Sequence, residues 1–261
     1  VNLQTVSKIS SLNLHFYQEV SEIWNQDPNY VWEGWLKILP NLKTLIGNKK
    51  NFKVLDLGCG NARFYAFLTY NFPGLKLEYY GLDFSLNWLE KHKDSLGSDP
   101  GCKLFETDLL DSKWLEIVRS EEFDLIVSFG LFHHIPGSQN RLKLLQQAGS
   151  KLNQNGLLVW TSWQFLNEDR LIKRILPKDS PRYKKLLEDL KIPLHEIEKG
   201  DYFLDWIKIK SLYRYSHNFE IPEAQEIIQK SNLEAKEVFL ADGRFSNRNR
   251  YFICIKPYQH L

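Results

Sequence analysis

Three acids stand where the chain could grip one polar ligand. Asp56 ends the apolar run that begins at Val54 and leads into the glycine turn Gly58-Cys59-Gly60-Asn61. Asp83 closes a second run, Leu77 to Leu82, and Asp108 follows a third, Lys103 to Thr107. A glycine turn after a strand is also the mark of a dinucleotide site, but that fingerprint wants a third glycine where this chain has Arg63. Asp83 lies at the spacing of a ribose-binding carboxylate, able to accept from both hydroxyls. Asp56 can order the turn and reach an ammonium group. Asp108, with the N–H of Leu109, suits an adenine edge, and Phe84 can cover the ring. The main-chain N–H groups around Gly58 and Gly60 sit at a helix start, where unpaired donors gather. One acid alone could be a helix cap. Three at successive strand ends suit a ligand with a ribose, an adenine and a cationic centre, and suit a polyphosphate badly.

Such acids need a scaffold that delivers strand ends to one edge. From Lys53 the pattern alternates: strand 53–57, helix 61–71, strand 77–82, helix 85–94, strand 103–107, helix 112–119, strand 123–129, helix 138–152, strand 156–162. This predicts an α/β fold, a doubly wound, seven-stranded, mostly parallel sheet with ligand loops at the carboxyl ends. Ala235–Ala241 and Arg250–Lys256 read as a closing antiparallel pair after a helix at 222–231. Residues 1–50 read as an N-terminal helical segment, with Leu12, Phe16, Val20 and Ile23 at helical spacing and a break at Asn25-Gln26-Asp27-Pro28-Asn29. The main domain is then 51–261, with a cap-like insertion at about 164–218 where the alternation stops.

Composition sets outer limits. The chain has 261 residues, 43% of them hydrophobic, enough for a proper core. Its runs are too short for a membrane helix, no signal peptide is apparent, and Cys59, Cys102 and Cys254 have no metal or disulfide spacing. A cytoplasmic protein without metal or membrane partner is expected. A net charge of +2 does not by itself announce a nucleic-acid binder. Between 173 and 185, however, Lys173, Arg174, Lys178, Arg182, Lys184 and Lys185 face one acid, Asp179. That run is either a solvated face or a phosphate-binding patch.

The three acids and the glycine turn resemble the S-adenosyl-L-methionine site of a class I methyltransferase. More closely, Phe123-Asp124-Leu125-Ile126-Val127-Ser128-Phe129-Gly130-Leu131-Phe132-His133-His134-Ile135 with Gly156–Trp160 and Gln164 resembles the tRNA wobble-uridine carboxymethyl methyltransferases. Gly200-Asp201, Trp206, Tyr213-Arg214-Tyr215-Ser216-His217 and Asn249-Arg250-Tyr251 are similar to that family's C-terminal blocks. The chain departs from the family at Ala62 and Arg63, which stand for Gly-Lys, at Asp205, which stands for a proline, and at Ser216, which stands for a tyrosine. The resemblance implies S-adenosyl-L-methionine as cofactor, held by Asp56, Gly58, Cys59, Gly60, Asn61, Arg63, Asp83, Phe84, Asp108, Leu109, Ser128 and Phe129. It implies a methyl ester made on a wobble-uridine carboxylate, with tRNA as partner and an activator subunit in related enzymes. A carboxylate is already ionised and needs no base, only groups that hold one oxygen still. Arg214, Tyr215, His217 and Arg250 suit that task, and His133 lies near where the methyl group should emerge. Trp206, Arg244, Arg248 and Tyr251 are the expected substrate contacts, Trp206 as a stacking platform. The alternative is a small-molecule O- or N-methyltransferase, for which His133 would be the first choice of base.

Overall fold

The computed structural model describes residues 1–24, 31–85, 99–206, 209 and 211–257. The expected helix at 85–94, Trp88 within it and the break at 25–29 lie outside the described residues. In chain order the elements are α1 (Leu3–Trp24), α2 (Glu33–Ile46), β1 (Asn51–Leu57), α3 (Arg63–Asn71), β2 (Lys76–Asp83), β3 (Cys102–Glu106) and α4 (Trp114–Ile117). Next come β4 (Phe123–Ser128), α5 (Ser138–Ser150), β5 (Leu152–Trp163), α6 (Asp169–Ile172), α7 (Pro181–Leu190), β6 (Asp201–Asp205) and β7 (Tyr213–His217). The chain closes with α8 (Ile221–Lys230), β8 (Glu234–Ala241) and β9 (Asn249–Ile255).

Seven strands form one sheet in the order β3-β2-β1-β4-β5-β9-β8. β1 pairs parallel with both β2 and β4, so the winding reverses between β1 and β4 and opens a crevice at their carboxyl ends. β9 runs antiparallel between β5 and β8. The fold is the α/β, mostly parallel, doubly wound sheet that the alternation predicts. Alternate residues of a strand face opposite sides. Leu55, Leu57, Ile126 and Trp160 therefore pack under α5 and α8, while Val54, Leu125, Val127 and Val159 pack under α2 and α3. Each such side chain, buried from water, contributes about 1.5–3 kcal/mol. Among the described residues no helix is long and apolar enough to cross a membrane.

The insertion builds its own small layer. β6 and β7 pair antiparallel, an element the sequence pattern does not predict. Ser180 caps α7 by accepting from the Tyr183 N–H at 3.2 Å, with Pro181 in the first turn. Tyr183, Leu186 and Leu187 of that helix then pack on Phe203 and Tyr215. The N-terminal segment is divided between two layers. α2 packs on the main sheet, but Ile9 of α1 joins the cap core. Asn13 locks that helix to β7, accepting from the Tyr215 N–H at 2.8 Å and donating to its carbonyl at 3.3 Å.

Candidate active site

One cavity of about 1160 Å³ runs from the glycine turn to the cap. At its first end lie Asp56, Asp83 and Asp108, with Gly58, Gly60 and Phe84. Gly58 and Gly60 have φ of 77° and 55°, where a side chain is strained. A Cβ on Gly58 would stand 3.0 Å from Leu131, and one on Gly60 would project into open space. The turn is tied to β2, because Gly58 and Cys59 donate to the Leu82 carbonyl at 2.8 and 3.1 Å. Gly60 donates to Asp83 Oδ2 at 2.9 Å, and the Ser85 N–H to Oδ1 at 3.0 Å. The expectation of open main-chain donors here is thus corrected: these N–H groups are spent on holding the turn and Asp83 in place. The Asp83 carboxylate keeps lone-pair capacity for a further donor.

Burial sets the charges at this end. It pushes Asp83 up to about 6, against the hydrogen bonds from Gly60, Ser85 and Phe84. It pushes Asp56 up to about 7, against the hydrogen bond from the Tyr79 hydroxyl. A cation beside them would draw both back toward ionisation. Asp108 is exposed and accepts from the Leu110 N–H at 2.9 Å. Cys59, Asn61, Arg63, Leu109 and Phe129 also line the cavity, with Arg63 donating to Asn61 Oδ1 at 3.1 Å. Ser128 does not. Its hydroxyl donates to the Leu57 carbonyl at 3.0 Å and ties β4 to β1.

The matched segment decides what this cavity is. Residues 55–158 match the family described as a methyltransferase domain. This segment of the chain is similar to methyltransferase domains. An uncharacterized methyltransferase of Alkaliphilus oremlandii is 26% identical over 176 residues, 67% of this chain and 76% of that protein. A probable tRNA methyltransferase 9B of Bos taurus is 22% identical over 154 residues, 59% of this chain and 31% of that protein. The solved structure of an S-adenosylmethionine-dependent methyltransferase from Clostridium acetobutylicum superimposes with a TM-score of 0.61 at 12% identity, covering 93% of this chain and 99% of that one. A solved neighbour of the same fold, the magnesium protoporphyrin IX methyltransferase of Synechocystis, holds S-adenosylmethionine (TM-score 0.57, 11% identity). The open space at Gly60 and the buried acids Asp56 and Asp83 fit its size, its ribose and its positive charge.

Another part of the cavity lining is cationic and aromatic. Strand alternation sends Arg214 of β7 into the cavity, 7% exposed, with its guanidinium 4.1 Å from the Trp163 ring and 5.3 Å from Phe16. Burial lowers its pKa, and a hydrogen bond to the Tyr17 hydroxyl opposes that. Tyr17 in turn meets His134 Nε2 at 2.5 Å, while His134 Nδ1 lies 2.9 Å from the Tyr215 carbonyl. A carbonyl only accepts, so Nδ1 carries the proton and Nε2 accepts from Tyr17. His133 lines the cavity with its Nδ1 buried and without a partner. Burial first, then the neighbouring imidazole of His134 and the positive charge of Arg214, hold its pKa well below the usual value. It is a neutral imidazole and a weak base.

The same alternation removes Tyr215 and His217 from the acceptor site, correcting the expectation for both. They face the cap, where the Tyr215 hydroxyl donates to Asp201 at 2.6 Å. His217 donates from Nδ1 to Asp201 at 2.7 Å and from Nε2 to Glu223 at 2.9 Å. Burial opposes its charge, but these two bonds outweigh that and raise its pKa. Glu198, Asp201 and His217 bring ligand atoms within 4.8 Å of one another, yet the guanidinium of Arg141 already bonds Glu198 and Glu223 there, at 2.6 and 3.0 Å. Arg250 is half-buried opposite Ser162, on the other face of β9 from the cavity-lining Asn249. Tyr251 lies outside the cavity, its hydroxyl donating to Asp242 at 2.7 Å, and a Cβ on Gly34 would sit 2.0 Å from its ring. Arg244 is exposed beside Phe245. Of the expected substrate contacts Trp206 and Arg248 do line the cavity, Arg248 bonded to Glu168 at 2.6 Å. Sequence reasoning missed Tyr17, Trp163 and Arg170. Only Trp163, one residue past the predicted end of β5, left a usable signal.

Proposed function

We propose that this methyltransferase methyl-esterifies a carboxylate on a modified wobble uridine of tRNA. The observation that carries the reading is Arg214, a buried guanidinium laid on Trp163 in the cavity that the three acids also line. A planar fork of this kind suits a carboxylate in two places. His133 supports the choice of acceptor. A weak, neutral imidazole serves poorly to strip a hydroxyl, whereas a carboxylate has no proton to lose. The similarity to a probable tRNA methyltransferase, the C-terminal blocks and the exposed basic run support tRNA as the carrier.

In this reading Asp83 takes the ribose hydroxyls, Asp56 the cationic methionyl portion and Asp108 with Leu109 the adenine. When bound, the cofactor would supply a methyl group on a positive sulfur, which would keep the electron pair of the C–S bond as the methyl passes to the carboxylate oxygen, so that both charges would vanish. Arg214, fixed by Tyr17, orients the acceptor carboxylate so that one oxygen points along the line of transfer. Tyr17 is fixed by His134, whose Nδ1–H donates to the Tyr215 carbonyl. One observation favours the small-molecule alternative: α1 roofs the cavity with Ser7, Ser10, Leu14 and Tyr17. Methyl transfer from labelled cofactor to total small RNA and to a metabolite pool, followed by nucleoside analysis, separates the two. An alkali-labile label on a wobble uridine is expected. Label only in metabolites, or an alkali-stable product, overturns the proposal.

A further inference from the structure

Five arginines line the cavity, Arg63 beside the glycine turn and Arg170, Arg174, Arg214 and Arg248 beyond it, and the latter four are not equivalent. Arg170 and Arg248 both bond Glu168, at 2.7 and 2.6 Å, so their charge is answered within the protein. Arg214 lies on Trp163 and is the carboxylate-binding group of the reading above. Arg174 has no such role. It is pinned to the cap, because its carbonyl accepts from the Asp205 N–H at 2.9 Å and Ile175 bridges to Leu204. Its guanidinium stands 5.3 Å from the ring of Trp206, and its Nε–H is shielded from water without an acceptor. A buried donor left unanswered is costly, and a guanidinium answers best to a planar or tetrahedral oxyanion. Arg174 and Arg214 are also close enough for their like charges to repel, which an anion between them relieves.

The position of Arg174 in the chain suggests which anion. It is the inward member of the basic run whose Lys173, Lys178 and Lys184 are exposed. A polyanionic strand lying on those lysines would bring a phosphate to the cavity mouth. We propose that Arg174, stacked on Trp206, is a second anion site that holds a phosphate of the acceptor nucleotide while Arg214 holds its carboxylate. This rests on the wobble-uridine reading and sharpens it. The substrate class becomes a nucleotide carrying both anions, and a free nucleoside or a plain carboxylic acid fills only half the site.

The test is calorimetric titration of the full chain, loaded with the demethylated cofactor, with 5-carboxymethyluridine and with its 5′- and 3′-monophosphates. At least one monophosphate should bind about tenfold tighter than the nucleoside, as one charge-assisted contact allows. Arg174→Gln should abolish that advantage and leave nucleoside affinity within about twofold. Arg174→Lys, which keeps the charge without the fork, should retain part of it. Thermal melting in parallel shows that the variants fold. Equal binding of nucleoside and both monophosphates by the native chain overturns the phosphate site while leaving the carboxylate reading standing. So does an advantage that survives Arg174→Gln. If none of the three binds although the cofactor does, the wobble-uridine reading fails, and the phosphate site with it.

Discussion

The two ends of the cavity are built on opposite principles. The cofactor end is acidic and local: a strand end, a turn and the neighbouring strand end, with Asp83 held by the backbone N–H groups of Gly60, Ser85 and Phe84. The acceptor end is cationic and assembled from afar, with Tyr17 from α1, Trp163 from β5, Arg174 and Trp206 from the cap and Arg214 from β7. One half is poised for a positive ligand, the other for a negative one. A transfer that joins a sulfonium to a carboxylate consumes both charges, so the divided field suits that reaction and would suit a neutral acceptor less well. Long-range assembly also means that the acceptor end can change between relatives while the turn stays the same.

The largest expected effect lies at the acidic end. Asp83→Ala should weaken cofactor binding by about 2–4 kcal/mol, the loss of a buried, charge-assisted acceptor. Calorimetry with a melting control measures it, and near-native affinity would remove Asp83 from the ribose. Next comes pH. Asp56 and Asp83 must be ionised to greet a cation, and in the free protein they titrate near about 7 and about 6. Cofactor affinity should therefore fall as pH falls, by about twentyfold from pH 8 to pH 6 if both groups count. A flat profile would mean that neither acid faces the positive centre. At the cationic end, Arg214→Lys keeps the charge but loses the fork. It should lower turnover about tenfold, roughly 1.4 kcal/mol, with cofactor affinity unchanged. If cofactor binding fell in step with turnover, the two ends would not be separable, and the contrast drawn between them would be wrong.

How much was legible follows the same division. The acidic end could be read because its residues are contiguous and their spacing is dictated by the strand–turn–helix path. Even there the eye of the sequence misjudged the turn, since which N–H bonds which carbonyl depends on the register of β2. Ala62 shows a similar limit. A glycine is expected there, yet alanine occupies the left-handed region at φ 54° and packs its methyl group in the core. At the cationic end residue types were legible but not their directions. Tyr213-Arg214-Tyr215-Ser216-His217 contains one cavity residue and two cap residues, and only knowing that the run is a strand sorts them. β6 and β7 are short, and their burial against α7 and α1 is what makes them strands. Tyr17 was beyond reach, because nothing local says that α1 crosses the cap.

The smallest effect concerns the brace behind the acceptor end, and its pH dependence can be told apart from that of the acids. His217 has a raised pKa, so its contribution to stability is complete below the unfolded histidine value near about 6.5 and is lost as pH rises through the folded one. The free protein's Asp56 and Asp83 also make stability fall with rising pH, but their window closes about one unit above 7, where both are ionised in either state. Urea unfolding above that window should therefore report the brace. His217→Gln should flatten the remaining slope there and cost about 1 kcal/mol at lower pH, the low side for a charged hydrogen bond. The value is small because an amide can keep one of the two bonds and because Glu223 is 28% exposed, so water screens that partner. With the brace weakened, β7 should hold Arg214 less firmly, which predicts a modest fall in turnover at saturating cofactor and none in cofactor affinity. A slope that persists in the variant would assign the high-pH loss to other groups, and a fall in cofactor affinity would mean that the brace reaches across the cavity to the acids.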